Sequence, residues 1–105
     1  MNKSHNLSIE KFVAKTKDLL GNNLVDIIIY GSVARNETHP DSDIDMIVIV
    51  KLKPFKNQMK LAQLAFDILL ETGEYISVQT MKPKEFKRDT IFLHNVRLEA
   101  KHVIL

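Results

Sequence analysis

The sequence contains no cysteine in 105 residues, which excludes disulfides and thiolate metal sites. It has no apolar run approaching the roughly 20 residues of a membrane-spanning helix. Its opening stretch, MNKSHNLSIEKF, lacks the apolar centre of a signal peptide. These absences lead to the expectation of a cytoplasmic protein with no membrane association. One-sided charge is also missing. The formal net charge is +2, too small to argue for nucleic acid. There is no internal repeat, low-complexity tract or linker, so the length predicts one domain over 1–105 with a core of modest stability. What is present is the mixture of a globular chain, 45% hydrophobic and 27% charged.

The apolar pattern predicts alternating elements. Ser8 reads as an N-cap, with Ile9, Phe12, Val13, Thr16, Leu19 and Leu20 on one helical face and Gly21 as the stop. Leu24 to Tyr30 reads as a strand, and a short helix follows from Ser32 to Asn36. Asp43 to Val50 reads as a second strand. Pro54 opens a helix to about Leu70, with Phe55, Met59, Ala62, Phe66 and Leu69 among its apolar positions, and Gly73 ends it. Tyr75 to Met81 alternates as a third strand. Short helices over 83–88 and 92–100 follow, then a strand or extended tail over 102–105.

The chemistry concentrates between Asp26 and Val50. An apolar run ends at Gly31-Ser32, and a second begins after Ser42-Asp43-Ile44-Asp45. Residues i and i+2 of a strand share a face, so Asp43 and Asp45 are expected side by side. Two unpaired carboxylates at a buried strand start would repel and resist desolvation, which argues against a simple cap and for a bound cation. Oxygen-only ligands suit Mg²⁺, with Mn²⁺ as the alternative. The Gly31-Ser32 turn offers N–H groups and a hydroxyl to a phosphate, and a branched side chain at Gly31 is expected to block that approach. Gly31 ends one strand and Asp45 begins the next, so the two strands must run antiparallel to bring them together. The short connection also disfavours a parallel crossover. The expected fold is therefore α+β: a small, mixed, largely antiparallel sheet with helices on one face.

Gly31-Ser32-Val33-Ala34-Arg35, six residues, then Ser42-Asp43-Ile44-Asp45-Met46-Ile47-Val48 resembles the signature of the DNA polymerase beta nucleotidyltransferase superfamily, and the length is similar to its minimal members. The resemblance implies attack of an acceptor hydroxyl on the α-phosphate of a nucleoside triphosphate, with ATP as substrate. It implies metal at Asp43 and Asp45, and nucleotide at Gly31, Ser32, Arg35 and Ser42. It also implies a helical HEPN-type partner in a toxin–antitoxin pair, some members of which transfer AMP to a tyrosine of the toxin.

The chain departs from that pattern at one point. The family's third carboxylate is expected at Ser77, whose face also carries Tyr75 and Gln79. Glu74 falls on the opposite face. Ser77 is thus a degenerate third position, and a non-catalytic binding module that keeps the fold stands as the alternative. Arg35 has two open assignments, a triphosphate or a local pair with Glu37 or Asp41. His39 reads as a surface histidine. Lys51, Lys53, Lys56 and Lys60, and again Lys82, Lys84, Lys87 and Arg88, read first as solvated surface and second as an RNA-contacting one. Few aromatics lie nearby to stack bases.

Overall fold

Two strands, β1 (Leu24–Tyr30) and β2 (Ile44–Val50), form the middle of the sheet. Both are near-continuous apolar runs, the pattern of strands covered on both faces. The computed structural model describes residues 3–35 and 43–103. Within them the order is α1 (Lys3–Leu20), β1, α2 (Gly31–Ala34), β2, α3 (Pro54–Thr72), β3 (Ile76–Met81), α4 (Pro83–Phe86), α5 (Ile91–Glu99) and β4 (Lys101–His102). The expected readings at Asn36, Glu37, His39, Asp41 and Ser42 lie outside the described residues.

The sheet order is β3-β2-β1-β4. β1 pairs antiparallel with β2 and with β4, while β2 and β3 run parallel through the α3 crossover. The sheet is mixed and largely antiparallel, as the motif required. A helix of α3's length supplies the long connection that parallel neighbours need.

Each sheet face has its own apolar layer. Ile27, Ile29, Met46, Val48, Ile76 and Val78 pack against the long helices α1 and α3. Ile28, Tyr30, Ile47, Ile49 and Met81 face the other way. The expectation of helices on one face holds for the two long helices. The short α4 and α5 add a second, smaller layer, with Phe86, Leu93 and Val96 closing over the opposite face. The apolar composition of both strand faces is the physical reason, since a one-sided arrangement would leave half of it in water.

Two sequence expectations change. Ser8 is not a helix cap. It lies buried inside α1, and its hydroxyl donates to Glu74 Oε1 at 2.7 Å, tying the helix to the chain entering β3. Glu74 is thereby on the α1 side of the sheet, as alternation placed it. In α3 the buried face is Asn57, Leu61, Leu64, Ala65 and Ile68. Phe55, Met59 and Phe66 point outward instead. The helix has apolar residues on two sides, and periodicity alone does not say which side meets the sheet. Asn57 also fits the inner face, because its amide donates to the Leu52 and Lys53 carbonyls just before the helix.

Leu61 is fully buried and Met59 is 64% exposed. Leu61→Ala is expected to cost about 2–5 kcal/mol of stability through lost transfer energy and a residual cavity. Met59→Ala in dilute protein is expected to cost less than about 1 kcal/mol. Urea unfolding of both variants checks the assignment; equal losses would mean that α3 is rotated on the sheet.

Candidate active site at the β1–β2 junction

The antiparallel register sets Tyr30, the last residue of β1, opposite Asp45 near the start of β2. On the other side of Asp45, Ser77 of β3 is its Cα partner. Directly paired residues share a face, so Ser77, Asp45 and Tyr30 form one row across three strands. Asp43 sits immediately before β2 and is exposed, while Asp45 is half-buried.

The chain turns into α2 at Gly31, whose φ is +77°. A Cβ placed there would lie 2.4 Å from Asp45 Oδ2. Both facts require glycine: the left-handed backbone disfavours any side chain, and the Asp45 carboxylate occupies the space one would fill. The sequence reading attributed this glycine to phosphate approach, whereas its first neighbour is Asp45. A substitution at Gly31 would therefore act on Asp45 and on folding together. α2 is a single turn. It supplies a few backbone N–H groups and little of the dipole expected from a longer helix.

Glu99, at the end of α5, completes the cluster. It accepts the Gly31 N–H at 2.9 Å through Oε1 and the Arg35 guanidinium at 2.6 Å through Oε2. Arg35 is thus paired with Glu99, which neither sequence assignment named. The Arg35 hydrogen bond, aided by the Gly31 N–H, lowers the Glu99 pKa from its ordinary value. Nothing local in the sequence marks Glu99. It lies 68 positions from Gly31 and arrives only because α5 packs back across the sheet. The turn therefore already holds one carboxylate of its own chain, a sign that these donors suit an anion.

Burial raises the Asp45 pKa, and the neighbouring Asp43 charge raises it further; Arg35 opposes both. Burial and the Asp45 charge likewise raise the Tyr30 phenol. Tyr30 is held by an edge-on contact with Phe92, ring centroids 5.7 Å apart, and by Gln79, whose amide donates to its hydroxyl at 3.4 Å.

Among the described residues, no group of three or more His, Cys, Asp or Glu could hold a metal ion. Glu99 is engaged by Gly31 and Arg35, which leaves the Asp43–Asp45 pair as the acidic donors facing a ligand, with Ser77 beside Asp45 in register. That set fits a hard cation completed by water and substrate oxygens, because Mg²⁺ commonly takes only one or two protein carboxylates. Ser32 joins Gly31 in α2, and Ser42 lies outside the described residues. Among the described residues, no helix is long and apolar enough to cross a membrane.

The raised Asp45 pKa has a defined consequence for stability. As pH rises from the ordinary 3.8 through the raised value, the folded chain must release a proton it holds more tightly than the unfolded chain does. Stability from this group is therefore lost with rising pH. In metal-free buffer, Asp45→Asn is expected to melt higher than the wild type at neutral pH and to lose that advantage in acid. Thermal melts across pH check this, and parallel profiles for the two proteins would overturn it.

Comparison with known proteins bears on the family and the fold. The nucleotidyltransferase domain family matches residues 9–101. A Methanocaldococcus jannaschii protein named "Putative protein adenylyltransferase MJ1305" is 32% identical over 87 residues, which are 79% of this chain and 58% of that protein. The chain thus spans little more than half of that relative. Among solved structures, a toxin–antitoxin with AMP-PNP aligns with a TM-score of 0.61 at 20% identity, covering 89% of this chain and 70% of that one. A Sulfolobus solfataricus protein named "putative nucleotidyltransferase" aligns at 0.53 and 19% identity, covering 100% of this chain and 97% of that one. At these identities the structures speak for the fold alone. The match across almost the whole sequence is decisive: the chain belongs to the nucleotidyltransferase domain family.

Proposed function

We propose that this chain binds ATP with Mg²⁺, or with Mn²⁺ in its place, and transfers AMP to a hydroxyl group of a partner protein. The observation that carries the reading is the Asp45 carboxylate set against the Gly31 backbone, with Asp43 beside it. Asp43 and Asp45 would hold the ion, and the triphosphate would lie along the turn of Gly31, Ser32 and Arg35, with Ser42 proposed as a further contact. When bound, the ion would neutralise phosphate charge and orient the reacting oxygens. The acceptor oxygen forms a bond to the α-phosphorus, the bond from that phosphorus to the β-phosphate oxygen breaks, and pyrophosphate leaves. The hydroxyl proton passes to a base or to water.

In this reading the chain's own contribution is positioning and charge. Asp45 is fixed by Gly31 and the strand register. Arg35 is oriented by Glu99, which holds its guanidinium beside the turn. The Gly31 N–H is taken by Glu99, so the phosphate must either displace that carboxylate or use the donors after it.

The partner is proposed by analogy. Solved toxin–antitoxin neighbours, one of them an MntA–HpeT variant, share the fold. A helical HEPN-type protein is accordingly the proposed acceptor, and the proposed setting is the cytoplasm. The lysines after β2 and those around α4 are exposed, and an RNA acceptor is the weaker reading of them.

A second reading has its own observation. Ser77 stands beside Asp45 in register, where a third metal-binding carboxylate is expected, and Gln79 and Met81 on the same face are not acidic either. A chain that binds nucleotide, turns it over poorly and acts on its partner by contact follows from that.

Calorimetry of ATP with Mg²⁺ tests the first reading. The wild type is expected to bind, and the Asp43→Asn/Asp45→Asn double variant is expected to lose metal-dependent affinity. Equal affinities would remove the site from this junction.

Ser77→Asp separates the two readings. It restores an oxygen ligand in the Asp45 row, and a gain in AMP transfer, assayed with Mn²⁺ and the proposed partner, is expected. Robust transfer by the wild type would show that the site is complete without that carboxylate.

A further inference from the structure

The outward side of α3 carries Phe55, Met59, Phe66 and Leu70 with exposures of 79%, 64%, 49% and 72%. Exposed Ala62 sits in the middle of the same stripe. These positions repeat at helical spacing over roughly 22 Å of helix. They lie across the helix from the buried Leu61, Leu64 and Ile68. Scattered exposed apolar residues are ordinary on a protein surface, but a continuous stripe of large ones is not.

The order of residues along the stripe identifies what covers it. About a two-fold axis crossing the helix beside Ala62, Phe55 falls opposite Leu70 of a second copy and Met59 opposite Phe66, with the small Ala62 opposite itself. The charged flank follows the same symmetry. Lys56 and Lys60 lie towards the N-terminal end of the helix, and Asp67 and Glu71 towards the C-terminal end, on one side of the stripe. A two-fold axis perpendicular to antiparallel helices keeps each flank on its own side and reverses its direction. Lys60 then meets Asp67 of the second copy, and Lys56 meets Glu71. Within its own chain, Asp67 accepts from the Gln63 amide and Glu71 pairs with Lys11. Lys60 and Asp67 therefore form the principal intermolecular pair.

We propose that this protein forms a two-fold symmetric homodimer through antiparallel packing of α3 against α3 of a second copy. The surface is self-complementary in both its apolar and its charged residues, as an isologous interface must be. A small residue at the crossing lets the two backbones approach closely. The four large side chains expose roughly 450 Å² per copy. Two copies together bury roughly 900 Å² from these residues alone, and the flanks bring the total towards the ~1,200 Å² at the lower end of specific interfaces. The dimer is thus of moderate affinity. α3 covers the sheet face bearing Met46 and Val48, whereas Asp45 faces the other side. Dimerisation leaves the Asp43–Asp45 junction open, so the proposal stands independently of the nucleotide reading.

Sedimentation equilibrium of the whole chain tests it. The wild type is expected to run at twice the chain mass at micromolar concentration, and Phe66→Glu at the single-chain mass with an unchanged circular dichroism spectrum. Met59→Lys, at a more exposed position, serves the same purpose if Phe66→Glu does not fold. Lys60→Glu alone and Asp67→Lys alone each place like charges opposite one another, and each is expected to weaken dimerisation about tenfold. An equimolar mixture of these two variants restores both opposite-charge pairs and is expected to dimerise like the wild type. A monomeric wild type would overturn the proposal, including the case in which a different protein covers the stripe. So would a Phe66→Glu variant that stays dimeric, or charge variants that mixing does not rescue.

Discussion

The antiparallel pairing of β1 and β2 fixes everything else at the junction. Its register places Asp45 opposite Tyr30, and the next residue after Tyr30 must then turn away at once. That residue meets the Asp45 carboxylate at a distance no Cβ tolerates, in a backbone conformation that favours glycine. A shift of one residue in either strand would send Asp45 into the layer under α1 and α3 and bring Ile44 or Met46 to the junction. The apolar residues that alternate with Asp45 prevent that shift, since each has a buried position on the other face. Packing in the core and placement of the acidic pair are one constraint.

That placement has a cost. Asp45 is held partly out of water beside another carboxylate, and its raised pKa records the penalty. Arg35 offsets part of it. Glu99 is the third participant: it holds Arg35 and the Gly31 N–H together while adding a further negative charge near Asp45. Such a cluster leaves the Asp45 charge only partly compensated, a pattern that recurs where structure is spent on function. Through Glu99, α5 is tied to the turn after β1. β4 adds a second tie, with His102 Nδ1 2.5 Å from Asp26 Oδ2. α4 and α5 thus close over the sheet face that carries Asp45, and β4 extends the sheet beside β1.

Helix α3 is bound by a different pair of demands. Its inner face completes the core beneath the sheet, and its outer face keeps large apolar groups in water. A helix with two apolar sides has one taken up by the sheet and leaves the other, here Phe55, Met59, Phe66 and Leu70, at the surface. Its polar residues accordingly concentrate between the two stripes, in the groove where Lys15, Lys60, Gln63 and Asp67 lie along α1 and α3.

The sequence by itself determined the strands, the antiparallel relation of β1 and β2 and the α+β class. Continuous apolar runs at β1 and β2, alternation at β3, glycine stops at Gly21 and Gly73, and proline starts at Pro54 and Pro83 are local signals, and local signals are what a sequence carries. It also marked the acidic pair and the turn, because their spacing within short segments is fixed by strand geometry, while Ser77 was reached through the family resemblance and alternation gave only the residues that share its face. Tertiary structure alone decided the rest. Glu99 reaches Gly31 across 68 positions with no local pattern to announce it. Ser8 became a buried donor to Glu74 rather than a cap, because α1 extends back to Lys3 and that part of it lies against the start of β3. Which apolar side of α3 met the sheet was settled by the combined shape of α1 and the strands. Helical periodicity reports how many faces a helix has; only the packing of its neighbours selects which one is removed from water.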